Sequence, residues 1–216
     1  MQTNTWEGKV TMTGTEPVLP FPETLQDDLS SNNLSLLRRI CFTGVRGVGK
    51  SSVLKEINTE NIETCFTSGS DILQKMMGDA YSQFEYLPEY KKYAYRLKIR
   101  ETLQGMQEEN HKDLLVDSHL TVYNLKTGKF DVIFTHMDYG FYTDIILLDS
   151  YPERILDHRQ RDTKKKRITD LDIIQKELEF ERHKAAEISR NYRIRLHVIP
   201  MGEGAARDME RILKGS

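Results

Sequence analysis

The stretch ICFTGVRGVGKSSVL, residues 40–54, passes from an apolar run through three glycines into Lys50-Ser51. Gly44 to Ser51 fills the pattern G-x-x-x-x-G-K-[ST] at every position. The residue types carry a physical meaning. Glycines let backbone N–H groups turn inward around an anion, where side chains would block the approach. The helix predicted to follow presents its N-terminus to the same anion. In this pattern the lysine, Lys50, bridges the β- and γ-phosphates of a nucleotide, and the Ser51 hydroxyl takes Mg²⁺. The expected ligand is therefore ATP with Mg²⁺, held by Gly44, Gly47, Val48, Gly49, Lys50, Ser51 and Ser52. The apolar run before the loop and the helix after it supply the context that the pattern needs.

Around this centre the chain reads as α/β. Short apolar runs at RRICFTG, IETCFTSG, KDLLVDSH, TDIILLDSY and RIRLHVIP predict five strands. Helices are expected over 49–58, 70–81, 88–110 and 170–190, with GEGAARDMERILK closing the chain as another. Apolar strands alternating with helices predict a five-stranded parallel sheet covered on both faces, a three-layer P-loop NTPase fold. TVYNLKTGKFDVIFTH interrupts the alternation and reads as a β-hairpin insertion, 121–135, turning at Lys126-Thr127-Gly128. Residues 1–35 are polar, with Pro17, Pro20 and Pro22, and form an N-terminal extension whose 6–14 segment is a candidate strand. The P-loop domain is then 36–216.

Bulk properties narrow the class. A chain of 216 residues, 38% hydrophobic, has enough apolar material to bury one core of this size. Its net charge of −2 at 30% charged residues gives no global bias toward nucleic acid. No apolar run is long enough to predict a membrane span, and the first residues lack a signal-peptide pattern. Cys41 and Cys65 fall within predicted core strands, which suits buried reduced thiols and a cytoplasmic setting.

The metal needs a second ligand from a neighbouring strand. DLLVDSH supplies one, because its apolar run ends in Asp117, at the carboxyl end where doubly wound sheets bind ligands. Asp149, closing IILLD, is the competitor and reads better as a turn residue. With the early P-loop, the LLVDSH strand, the segment YPERILDHRQRDTKKKR and the ERHKAAEI helix in hand, the chain resembles the archaeal-type adenylate kinases within the nucleoside-monophosphate-kinase-like P-loop family. The resemblance covers about residues 38–214. It implies an adenylate-kinase-like fold, a lid over 154–170 with arginines at Arg159, Arg161 and Arg167, and an acceptor region over 66–112. Arg159 is the first candidate for a transition-state contact, with Arg182 reaching in from the next helix. Ser70 matches the acceptor-contact position, and His119 faces the phosphates beside Asp117. Phosphoryl transfer spreads negative charge over the moving group, so cations beyond Lys50 are needed whatever the family.

Two acceptors compete. A nucleoside monophosphate is already anionic and needs arginines; Arg96 and Arg100, four apart, lie on one helix face and are positioned to clamp its phosphate. A hydroxyl acceptor, on a small molecule or a nucleic-acid end, needs a general base, and Asp71 is placed for it. The leading expectation is a Mg²⁺-dependent kinase moving the γ-phosphate of ATP to a nucleoside monophosphate; the hydroxyl kinase is the alternative. A nucleotide-driven ATPase switch, signalling to a protein partner through the extension or the hairpin, is a third reading. Nucleic acid at the basic 154–167 stretch is not favoured, because no aromatics interleave with its cations.

Overall fold

Alternation along Arg39–Thr43, the first strand β1, explains the layers. Ile40 and Phe42 point to one face of the sheet and Cys41 to the other, and all three are fully buried. This is a computed structural model, and it describes residues 37–60, 62–124, 127–163 and 167–215. The expected extension, 1–35, lies outside the described residues, as do Leu125 and Lys126 of the hairpin and Lys164, Lys165 and Lys166 of the basic segment.

After the loop come α1 (Lys50–Glu56), β2 (Thr64–Ser68), α2 (Gly69–Met77), a 3-10 stretch over Gly78–Tyr86 and α3 (Glu89–Asn110). Then follow β3 (Asp113–Asp117), β4 (Thr121–Asn124), β5 (Lys129–Val132), α4 (His136–Tyr139), β6 (Asp144–Asp149), α5 (Pro152–Arg161), α6 (Leu171–Tyr192), β7 (Arg195–Pro200) and α7 (Ala205–Leu213). The five main strands form one parallel sheet in the order β2-β3-β1-β6-β7. This is the five-stranded parallel sheet that the strand pattern predicts. The central neighbours β1 and β6 send their chains toward opposite edges, which opens a crevice at their carboxyl ends.

One apolar cluster joins Ile40, Phe42 and Leu148 to Val53 of α1, Ile155 of α5, Leu178 of α6 and Met209 of α7. The other joins Cys41, Val116 and Leu147 to Ile72 of α2, Leu103 of α3 and Ile188 of α6. Both cysteines are free, and burial pushes the Cys41 thiol well above its ordinary range. The antiparallel hairpin β4–β5 leans on α6 through Tyr123, Phe130 and Phe180, whose ring centres lie 5.1 and 5.2 Å apart in succession.

One helix expectation needs correction. The helix expected over 70–81 stops at Met77, because Gly78 adopts φ 54° and ψ −130° and turns the chain into the 3-10 stretch. Residues 154–161, expected in a lid, are helix α5, begun by Pro152 in its first turn. No helix among the described residues is long and apolar enough to cross a membrane.

Candidate functional site

The loop between β1 and α1 is built around its glycines. Gly44 has φ 148°, and a Cβ there would stand 2.6 Å from the Leu148 carbonyl oxygen. Gly49 has φ 113°, and a Cβ would meet Met201 Cε at 2.7 Å. Neither position accepts another residue without displacement of its neighbours.

Helix α5 holds this loop from outside. Arg159 Nε donates to the Arg46 carbonyl at 2.8 Å, and His158 Nδ1 lies 3.1 Å from the Gly47 carbonyl. In a trans peptide the N–H points opposite to the C=O. Pinning those two carbonyls turns the amides of Gly47 and Val48 the other way, across the loop, where the Val48 amide meets the Val45 carbonyl at 3.1 Å. Arg159 is itself buried. Its Nη1 donates to the Ile168 carbonyl at 3.2 Å and its Nη2 lies 2.7 Å from Glu177 Oε2 on α6. The residue expected to touch the moving phosphate from a lid thus stands under the loop, with its guanidinium taken up by protein groups.

Lys50 is 7% exposed, and its ammonium sits at the carboxyl ends of the central strands. It donates to the Ser118 carbonyl at 2.5 Å and pairs with Asp117 Oδ1 at 3.1 Å. The Gly44 carbonyl lies 3.4 Å away. His119 Nδ1 lies 2.9 Å from that same carbonyl and 3.2 Å from Lys50 Nζ. Burial pushes the His119 imidazole well below its usual value, and the Lys50, Arg46 and Arg167 charges act in the same direction, so the ring is neutral near pH 7. Arg167 pairs with Asp162 at 2.8 Å, and its charge works against the protonated forms of both His119 and Arg159. Arg161 is exposed and pairs with Asp157 at 2.8 Å.

The residues fit a magnesium nucleotide. Ser51 and Ser52 are exposed in the first turn of α1, and the Asp117 side chain is partly open beside Lys50. No cluster of three or more acidic, histidine or cysteine side chains suited to a metal exists among the described residues. Ser51 and Asp117 are the side chains that would hold Mg²⁺, with phosphate oxygens and water completing its shell. Asp149 is the poorer candidate, because Arg182 Nε spans both its oxygens at 2.9 and 3.0 Å.

Residues 43–175 match a family model described as an AAA domain. The chain belongs to that family. No curated protein sequence matches it. Among solved structures, the AAA domain is similar to a shikimate kinase from Acinetobacter baumannii in complex with shikimate, at 16% identity and TM-score 0.51, over 82% of this chain and 91% of that one. A tunicamycin resistance protein from Deinococcus radiodurans is similar at 13% identity and TM-score 0.49, over 83% and 94% of the two chains. A gluconokinase from Sinorhizobium meliloti 1021 is similar at 15% identity and TM-score 0.47, over 82% and 89%. At these identities the likeness to the shikimate kinase is one of fold.

The acceptor side of the AAA domain is only partly as expected. Ser68, Asp117 and Phe42 stand level on adjacent strands, so the end of β2 lies two strand spacings, about 10 Å, from the end of β1. Ser68 caps α2, accepting from the Asp71 amide at 3.4 Å, and its hydroxyl meets that of Ser70 at 2.8 Å. Asp71 follows one turn later with its side chain exposed. Arg96 and Arg100 do not form a free pair. Arg96 pairs with Glu89 at 3.4 Å, while the Arg100 guanidinium lies 5.6 Å from the centre of the Phe141 ring, near the amino end of β6. That ring lies beside Arg39 at the amino ends of the strands, opposite to the loop.

Sequence reasoning missed the carboxyl group of Glu181, which is 1% exposed on α6. Thr43 Oγ1, directly before the loop, donates to it at 2.5 Å, and Thr121 Oγ1 at the start of β4 donates to its other oxygen. The Leu120 amide donates to it at 3.3 Å. Glu177 and Glu181, four apart, thus face inward from a helix that looks ordinarily charged. The only sequence signal is their spacing beside Ala185 and Ile188, which share the buried face. Glu181→Ala should leave two buried hydroxyls without their acceptor and cost about 3 kcal/mol. The thermal midpoint should fall by roughly 6–12 °C, with Glu181→Gln recovering part of the loss. A melting curve unchanged in the alanine variant would contradict a stabilising role for these bonds to Glu181.

Proposed function

We infer that the chain is an ATP-dependent, Mg²⁺-dependent phosphotransferase acting in the cytoplasm, and that its acceptor is a hydroxyl group. The nucleotide half rests on the loop and on Lys50 beneath it. On binding, Lys50 exchanges the Ser118 carbonyl and Asp117 for phosphate oxygens. That leaves Asp117 and Ser51 to hold Mg²⁺, which when bound offsets charge on the transferred group. Arg46 and Arg167 add positive charge at the loop mouth.

The observation that carries the acceptor half is Asp71. It is an exposed carboxylate one turn past the level of Asp117, beside Ser68 and Ser70. In the transfer the acceptor oxygen bonds to the γ-phosphorus, the bond from that phosphorus to the bridging oxygen breaks to leave ADP, and the hydroxyl proton passes to Asp71. A nucleoside monophosphate, the acceptor suggested by the adenylate-kinase resemblance, needs arginines to bind its phosphate. Arg96 and Arg100 are engaged with Glu89 and Phe141 instead. A kinase that binds shikimate shares this fold, so the fold admits a bound molecule that is not a nucleotide.

The test is γ-labelled ATP with a panel of polyols, nucleosides, oligonucleotides and nucleoside monophosphates. Label on a hydroxyl is expected. Label moving only to monophosphates would restore the adenylate-kinase-like reading, and label released as phosphate without any acceptor would support an ATPase switch.

A further inference from the structure

The first half of α3 combines two features, of which only Arg96 and Arg100 entered the argument above. Over residues 89–101 five cations, Lys91, Lys92, Arg96, Lys98 and Arg100, accompany two carboxylates, Glu89 and Glu101, although the whole chain carries net −2. The same turns expose apolar rings. Tyr90 is 69% exposed, Tyr93 43% and Leu97 39%. At 100° per residue these three fall on one stripe, with Lys91 and Lys98 along one border; the other border holds Arg96, paired with Glu89, and Arg100, over the Phe141 ring. The His136 ring of α4 stacks near Tyr93 at 6.2 Å and widens the platform.

The stripe starts beside the loop. Arg46 reaches Glu85, just ahead of α3, at 3.8 Å. Helix α3 runs antiparallel to β3, so its first turns lie at the carboxyl edge of the sheet, with Asp71 and Lys50. From Tyr90 to Leu97 is about 10 Å, which accommodates two or three stacked bases.

We propose that this face of α3 binds single-stranded nucleic acid and delivers a strand end to the phosphate loop. The rings offer stacking surfaces that tolerate any base, and the flanking cations meet the phosphates. Charge complementarity selects a polyanion, and the exposed tyrosine rings supply the stacking faces that a base needs. That the strand end supplies the acceptor hydroxyl rests on the phosphotransferase reading; binding to the stripe does not.

The test uses the full chain and a short fluorescein-labelled single-stranded oligonucleotide, read by anisotropy across a salt series. Wild type should bind, more weakly as salt rises. Tyr90→Ala combined with Tyr93→Ala should weaken binding at least about tenfold while Mg-ATP binding is unchanged. Lys91→Ala with Lys98→Ala should weaken binding and flatten its salt dependence. No binding up to about 100 µM oligonucleotide at low salt overturns the proposal, as does a tyrosine variant that binds like wild type. Binding to phosphatidylserine vesicles but not to the oligonucleotide also overturns it. If the oligonucleotide fails while another hydroxyl acceptor is labelled, this inference falls and the phosphotransferase stands. If the oligonucleotide binds through the tyrosines but no acceptor is labelled, the phosphotransferase falls and the binding site stands.

Discussion

Replacing Lys50 by alanine should lower the rate of phosphoryl transfer by on the order of a hundred- to a thousandfold. The side chain is buried at the floor of the loop, where its charge acts at low dielectric on whatever anion the loop holds. In the structure that charge is balanced by Asp117 at 3.1 Å and the Ser118 carbonyl at 2.5 Å. The variant removes the ammonium that faces the phosphates and leaves Asp117 without its ion-pair partner. Loss of kcat with a cooperative melt retained is the expected pattern. A Lys50→Ala protein with undiminished transfer would place the chemistry elsewhere.

Asp71→Asn is the second large effect. Asparagine keeps the size and the hydrogen-bonding reach of the side chain but takes up no proton. Transfer to a hydroxyl should fall by about a hundred- to ten-thousandfold, mainly in kcat. Asp71 is exposed and its backbone, rather than its carboxylate, is bonded to the Ser68 cap, so stability should be nearly unaltered. A nucleoside monophosphate acceptor, already ionised, would be slowed only slightly. Undiminished transfer to a hydroxyl by the asparagine variant would remove Asp71 from the mechanism.

The parts of the molecule legible in the sequence are those dictated locally. The run from Ile40 to Leu54 holds strand, loop and helix within one contiguous window, and an apolar run ending in Asp117 fixes both a strand and the position of its last carboxylate. The hairpin was readable because period-two alternation and a glycine turn sit side by side; Gly128 has φ 65°. Long-range pairing was not readable. Glu177 and Glu181 look like solvated charges on an amphipathic helix, and only the packing of α6 against the loop reveals partners at Arg159, Thr43 and Thr121. Arg159 carries the opposite lesson. A cluster of arginines after a Pro-Glu helix start suggests a mobile cover, yet helix periodicity turns this one inward to tie the Arg46 carbonyl. Arg96 and Arg100 share a face as the spacing requires, but spacing alone does not say what that face meets; here it meets Glu89 and Phe141.

Calorimetric titration of Mg-ATP into the full chain tests most directly whether the loop from Gly44 to Ser51 grips a triphosphate. Saturable heat is expected from the wild type, with an affinity at least about tenfold weaker in Lys50→Ala, as befits loss of a charge-assisted contact. A flat trace from a wild-type sample that still melts cooperatively would contradict it.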